Sequence, residues 1–301
     1  MRQKAFEGKG RFFKGNLHTH TSISDGKRPV GEVIGIYKDK GYDFLAITDH
    51  NTVFRSEEFN NGIYIMPGLE IHCHSPEKFR THHMVALTTY DNDATFHGER
   101  IENVEWTDSA ASAAEMHDLM TGRGFLPIYC HSMWSRTEPS EYDRLDLRAM
   151  EVYNGVCEYV YDQGNQEVYW DTLLRMGKRI WGVATDDCHG ADQHYGRGYV
   201  MARMDGLNDR NIMKALSEGS FYSSRGPEIH DFYIEDGEAH VVCSPVQQIT
   251  FITYEYLGKC YRDEGWMTEK SFRFHEGIDY IRVEVTDEQG MKAWTNPIFL
   301  T

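Results

Sequence analysis

From residue 12 to about residue 226, short apolar runs alternate with stretches whose apolar residues recur every three or four positions. That succession of strands and amphipathic helices is the mark of βα units. The runs fall at 11–13, 42–47, 63–66, 84–87, 125–129, 149–153, 180–184 and 198–201. Between them, Pro29 suits a first helical turn, Val33, Ile34 and Tyr37 keep helical spacing, and Gly41 supplies a stop. A second helix is predicted from near Asp108 to Gly122. A third is expected to be capped by Asp162 with Val168, Leu173 and Leu174 as its apolar positions before Gly177, and a fourth to run from Asn208 to Gly219. Seven or eight units result, one of them irregular, because residues 52–62 are too polar and too few for a full helix.

Past Ser224-Arg225-Gly226-Pro227 the texture changes to strict alternation, at 239–242, 249–254 and 280–285, with turn signals at Glu235-Asp236-Gly237 and 287–290. The expected organisation is an α/β segment over 1–226 and a small antiparallel β-sandwich over 227–301.

Composition narrows the partners. A net charge of −16 disfavours a grip on nucleic acid, which depends on cations that neutralise phosphates, and residues 228–301 hold 14 acidic against 6 basic side chains. No stable nucleic-acid binding is expected. Six cysteines without a CxxC pair argue against a disulfide framework and against a thiolate zinc cage. The N-terminal segment shows no apolar core of a signal peptide, and no stretch is long enough to cross a bilayer, so the expected location is the cytoplasm, with no membrane partner.

The candidate chemistry lies in short histidine and carboxylate clusters, most of them just after an apolar run. His18 and His20 alternate on an extended segment and share a face, as do Asp187 and His189. Asp25 sits in a Ser-Asp-Gly turn, where an ordinary turn role competes with ligation. Asp49-His50 closes a strongly apolar run, a setting in which the aspartate could orient a ligating histidine. Glu70 follows Pro67-Gly68 and could bridge two cations through its two oxygens. Of His82 and His83, neighbours on a strand, only one can aim at a shared pocket; His83 is chosen. His131 ends the run 125–129. His72 and His74 also alternate, but are left outside the ligand set. Each cluster alone has an ordinary explanation, whereas histidine or carboxylate at the ends of five predicted strands is an improbable coincidence.

In this order the motifs HTH, SDG, TDHN and GLE, then His83, His131 and the DxH of Asp187 and His189, resemble the PHP superfamily, named for polymerase and histidinol phosphatase, over roughly residues 14–200. The resemblance implies a distorted (β/α)7 barrel and up to three divalent metal ions. His18, His20, Glu70 and Asp187 would hold one; Glu70, as a bridge, with His83 and His131 a second; Asp25, His50 and His189 a third. The segments 282–287 and 293–297 are similar to the β-domain of one branch of these metallohydrolases, some of which cleave carboxyl esters or carbamates. Two departures stand out: Ser132 occupies a place where proline often follows the histidine, and Asp186 adds a carboxylate beside Asp187, expected either to support a ligand or to cap a turn.

A nitrogen and oxygen ligand set without thiolate suits zinc, manganese or iron. The expected function is metal-dependent phosphoester hydrolysis of a small phosphorylated substrate by metal-bound hydroxide, with Glu70 and Asp187 in the catalytic centre and His194 as a candidate general acid. Arg136, Arg197 and Arg225 are candidates to grip phosphate oxygens. Two other readings are carried: a carboxyl-ester or carbamate hydrolase using the same site, and a non-catalytic, metal-stabilised binding module.

Overall fold

In the computed structural model, which describes residues 2–8, 10–56, 59–77 and 79–300, the apolar runs become short strands flanked by six α-helices. The first part of the chain supplies β1 (Gln3–Lys4), β2 (Arg11–Asn16), β3 (Phe44–Ala46), β4 (Phe59–Asn60), β5 (Ile63–Met66), β6 (Gly68–His74), β7 (Thr81–Leu87), β8 (Leu126–Tyr129), β9 (Ala149–Asn154), β10 (Trp181–Thr185), β11 (Tyr199–Met204) and β12 (Phe221–Ser224). The helices are α1 (Val30–Asp39), α2 (Ser109–Gly122), α3 (Ser132–Ser135), α4 (Gly155–Tyr161), α5 (Glu167–Arg175) and α6 (Asp209–Glu218). The rest forms β13 (Ile229–Glu235), β14 (Glu238–Thr253), β15 (Lys259–Arg273), β16 (Tyr280–Thr286), β17 (Lys292–Thr295) and β18 (Ile298–Phe299).

The fold is mixed α/β, but the strands form two open sheets, and no closed ring of strands is found among the described residues. The larger has the order β1-β13-β14-β16-β17-β12-β11-β2-β3-β5-β4, with β15 on β14 and β18 on β16; the smaller runs β10-β9-β8-β7-β6. Isolated bridges at Thr19–Cys188 and His50–Glu70 tie the two together. The departure from regular βα alternation comes where Pro67 alone separates β5 from β6, leaving no crossover helix, so β6, β7 and β8 pair antiparallel. The irregular stretch 52–62 includes residues 57 and 58, which lie outside the described residues; the rest of it contributes β4.

Side chains from both sheets meet in one core, where Leu17, Phe44 and Met66 pack with Val85, Ile128 and Val183, all almost fully buried. Each such side chain stabilises the fold by roughly 1.5–3 kcal/mol. Gly15 is required in β2, since a Cβ there would lie 2.1 Å from the Phe44 ring.

Helix signals read from sequence mark α2, whose Asp108 accepts from the Ala111 amide, and α6, whose Asn208 accepts from the Asn211 amide and which ends at Gly219 with φ +74°. Asp162 is a correction. It takes a left-handed φ of 56° and ends α4 instead of opening α5, which starts after Gln166. The face of α5 shifts accordingly: Val168 is 74% exposed and Trp170 is buried with Leu173 and Leu174.

The strands after residue 228 are antiparallel, as their alternation predicts, and they continue the larger sheet through the β12–β17 pair. They also brace the first part of the chain. Asn296 accepts from the Gly182 amide at 3.0 Å and donates to the Gly219 and Phe221 carbonyls, while Glu167 of α5 accepts from Lys292 and from the Trp294 indole, both at 2.6 Å.

Candidate metal centre

Backbone hydrogen bonds weave the candidate ligands together. The Asp187 amide donates to the His18 carbonyl, His20 to Cys188, Glu70 to Asp49, Asn51 to Glu70, and Cys130 to His83. Glu70 is not at a strand end; it is the third residue of β6, and β7 places His83 beside it. Asn51, His131 and Asp187 have φ of 56°, 26° and 53°, in the left-handed region that non-glycine residues avoid. Such strain persists only where surrounding structure enforces it, and it falls on two candidate ligands and on the neighbour of a third.

Glu70 is the hub. Its oxygens lie 3.3 Å from His18 Nε2, 3.3 Å from His20 Nε2, 3.0 Å from His50 Nδ1, 2.8 Å from His83 Nδ1 and 3.4 Å from His131 Nε2. Asp187 Oδ1 is 3.2 Å from His18 Nε2, 3.1 Å from His20 Nε2 and 3.7 Å from His189 Nδ1. Asp25, on the outer side, is 3.6 Å from His20, 3.7 Å from His50 and 3.4 Å from His189. All nine residues singled out from the sequence are thus gathered in one place. Ligating atoms within 4.8 Å of one another form overlapping groups: His18, His20 and Asp187; His50, Glu70 and His83; His20, Asp25, His50 and His189; and His18, Glu70 and His131 with Cys130. His20 stands between two of these groups, a sharing the motif order did not show.

The donor set fits divalent cations. His18 Nε2 and His20 Nε2 face each other at 3.2 Å, where at most one can carry a proton, and the buried His83 Nε2 has no hydrogen-bond partner among the described residues. Burial pushes the Cys130 thiol well above its ordinary pKa, and it donates to the Ile128 carbonyl, so oxygen and imidazole nitrogen remain as ligands. Burial opposes charge at Glu70 and Asp187, yet the surrounding histidines hold both carboxyls well below their usual range. At His20, burial is outweighed by hydrogen bonds to Asp187 and Glu70, which raise its pKa to about 10. At His83 burial prevails over Glu70 and lowers the value to about 3. These are buried charges that demand countercharge, which bound cations would provide.

Three further carboxylates organise the cluster. Glu151, in β9, accepts from His18 Nδ1 at 2.8 Å, from the His131 amide at 2.8 Å and from Thr185 Oγ1 at 2.5 Å. It was not singled out from the sequence; the available signal was a lone carboxylate inside an apolar strand. Asp49 does not orient His50. It accepts from the Thr21 and Ser24 amides and hydroxyls, and so holds the turn that presents Asp25. Asp186 caps a turn, accepting from the amides of Gly196, Arg197 and Gly198 and from the Tyr37 hydroxyl.

A cavity of about 230 Å3 opens onto Glu70, His83, His131 and Asp187, with Trp134, Val156, Val160 and Tyr161 as its apolar wall and His194 at its edge. The three candidate arginines are not among its lining residues. Arg197 stacks on Tyr159 and Arg225 on Tyr153, each with its guanidinium carbon 4.2 Å from the ring centroid, and Arg136 is exposed beyond α3. Sequence spacing gave no measure of these distances. His82 faces away from the cluster, against Trp106, with Nδ1 2.5 Å from the Tyr129 hydroxyl.

Comparison with known proteins adds one sequence-level finding: residues 16–120 match the PHP domain. No curated protein matches the chain. Among solved structures, a two-domain protein from Bacteroides vulgatus, containing a segment predicted to be a PHP-like metal-dependent phosphoesterase, is 15% identical at a TM-score of 0.49, with 99% of both chains covered. A candidate metal-dependent phosphoesterase from Bifidobacterium adolescentis is 15% identical at 0.42, covering 68% of this chain and 96% of its own. An amidohydrolase from Chromobacterium violaceum, with bound sulfate and no metal, is 14% identical at 0.42, covering 69% and 96%. Likenesses this loose carry no inference about chemistry.

Proposed function

Taking the PHP domain over residues 16–120 as the premise, we propose that the chain is a metal-dependent phosphoesterase acting on a small phosphorylated substrate. The observation that carries this reading is a single buried carboxylate, Glu70, within 3.4 Å of the nitrogens of five histidines. Divalent cations held by His18, His20, Asp25, His50, Glu70, His83, His131, Asp187 and His189 would neutralise developing charge and lower the pKa of a water. Zinc, manganese and iron all suit this ligand set, and the overlapping groups of ligating atoms support a reading of up to three ions. In this reading strands β2 to β12, with the core their two sheets share, are an open and distorted form of the (β/α)7 barrel; residues 1–226 carry the hydrolase, and 227–301 brace it.

The protein's own contribution is positional. Glu151 fixes His18 with its Nδ1 protonated and its Nε2 lone pair turned toward Glu70 and Asp187. The apolar wall excludes water and receives the alcohol part of the substrate. Burial and nearby His189 lower the pKa of His194, which lines the cavity; the shift favours a hydrogen-bonding part for it over the proton-donor part suggested by sequence. A cytoplasmic setting belongs to this reading, supported by six unpaired cysteines. No helix among the described residues is long and apolar enough to cross a membrane.

A second reading, carboxyl-ester or carbamate hydrolysis by the same centre, draws support from the lining itself, which includes no lysine or arginine among the described residues. Assays of metal-loaded protein on p-nitrophenyl phosphate, bis-p-nitrophenyl phosphate and p-nitrophenyl acetate separate the two. Metal-dependent phosphate release that vanishes in Glu70→Ala is expected. Acetate hydrolysis with both phosphate esters untouched would transfer the assignment to the second reading, and no turnover of any would overturn both.

A further inference from the structure

β6 and β7 pair antiparallel with His72 directly opposite His83. Paired residues of an antiparallel ladder share a face, and so do residues two apart on one strand, so Glu70, His72, His74 and His83 stand on the same side of this hairpin. Cys73 and His82, paired with each other, take the opposite side. Burial falls steadily along the row: Glu70 is 1% and His83 6% exposed, His72 is half-buried and His74 exposed. The row leads from the buried centre to solvent.

The outer three are close enough to share an ion. Their ring centroids lie 4.4 Å apart for His72 and His74, 5.3 Å for His72 and His83, and 5.7 Å for His74 and His83, and one ligating nitrogen from each falls within 4.8 Å of the others. His83 has a nitrogen to spare. Its Nδ1 is 2.8 Å from Glu70, while its Nε2 is buried and has no partner among the described residues. His72 Nε2 is 2.8 Å from Asn103 Nδ2, whose amide would yield its place to a cation.

We propose that His72, His74 and His83 form a further site for one divalent transition-metal ion of the zinc type, at the rim of the central cluster; it adds His72 and His74 to the nine central ligands and shares His83, whose Nδ1 side stays toward Glu70 while Nε2 serves the new ion, the ring releasing its remaining N–H proton to water when ions occupy both sides. Three imidazoles with a position left for water are a known zinc ligand pattern, and cross-strand histidines with a third two residues along supply it without backbone rearrangement. The inference rests on the placement of His83 in the proposed centre, not on the reaction assigned to it.

The test is metal counting on the full chain. Protein stripped with chelator, then equilibrated with Zn2+ or Co2+ and desalted, is analysed by elemental mass spectrometry alongside His74→Ala and His72→Asn, with circular dichroism confirming that each is folded; His74 is exposed, so its truncation leaves the core intact. Each variant is expected to hold one ion fewer per chain, to lose part of the Co2+ visible absorption, and to retain phosphate-ester turnover within about threefold at saturating metal. Unchanged stoichiometry and Co2+ spectrum in both variants would overturn the site. Loss of one ion in a protein whose wild type hydrolyses nothing would uphold the site and sink the proposed activity alone.

Discussion

The Nδ1–H of His18 donates to Glu151 Oε1 at 2.8 Å, and both side chains are wholly buried. Because a carboxylate only accepts, this contact fixes the tautomer of His18 and leaves its Nε2 lone pair facing Glu70 and Asp187. Glu151→Gln keeps the shape but can present an amide N–H where an acceptor is needed. Partners of this kind are typically worth about 10–100-fold in metal affinity. We expect a loss of that size, with the fold retained, read by titrating the stripped variant against a competing chelator; wild-type affinity in Glu151→Gln would refute the orienting role.

That Glu151 escaped sequence reading while His18 did not is instructive. His18, His20, His50, His131, Asp187 and His189 follow apolar runs, and a polar residue after a strand announces itself because the run has stopped. Glu151 interrupts a run from within, where periodicity reads the segment as buried and gives a carboxylate no address. Asp162 failed for a related reason: Asp suits a helix start and also tolerates the left-handed conformation of a helix end, and only the tertiary position of α4 selects between them. The arginines are a different case, since they are not among the residues that line the cavity. Their distance to Glu70 depends on loop paths that spacing does not encode. The β6–β7 hairpin was hidden because its seven-residue strands carry four histidines between them, which polarity alone reads as loop.

Asp186 offers a test of stability without chemistry. Oδ1 accepts from the Arg197 and Gly198 amides, and Oδ2 from the Gly196 amide and the Tyr37 hydroxyl. In Asp186→Asn, one of these pairs would face an N–H2 group, a buried donor against donors, at a cost of roughly 1–3 kcal/mol. Urea unfolding should show that decrease, with the number of bound metal ions unchanged. Equal stability would mean that the 196–198 turn holds itself.

The pH response of metal-free protein has a definite sign. Burial alone would lower the pKa of His20, but hydrogen bonds to Asp187 and Glu70 raise it from 6.5 to about 10. A pKa raised on folding contributes stability that is fully present below pH 6.5 and lost as pH climbs toward 10. The depressed carboxyls of Glu70 and Asp187 act in the other direction only in acid, where their contribution disappears as they protonate. Cations compete with protons for the same imidazoles, so metal should stabilise more as pH rises. Thermal melts from pH 6.5 to 10, with and without Zn2+, are expected to diverge; parallel curves would contradict metal binding at these histidines.

The apolar wall should set substrate preference. Trp134 stands edge-on to His131 at 5.1 Å between ring centroids and 6.2 Å from Tyr161, so it separates the ligands from the outer cavity. An aromatic leaving group placed there would gain ring contact; a polyol would not. Trp134→Ala is expected to raise KM for p-nitrophenyl phosphate about tenfold, equivalent to ~1.4 kcal/mol of lost binding, with a smaller change in kcat. Val160 is 49% exposed, so Val160→Asp should fold normally while placing a negative charge beside an anionic substrate. Its kcat/KM for phosphate esters should drop, and adding salt should recover part of the loss because the charge is solvent-accessible. Glycerol phosphate serves as the control: if Trp134→Ala weakens it as much as the aryl ester, the tryptophan supports the ligands and does not read the alcohol.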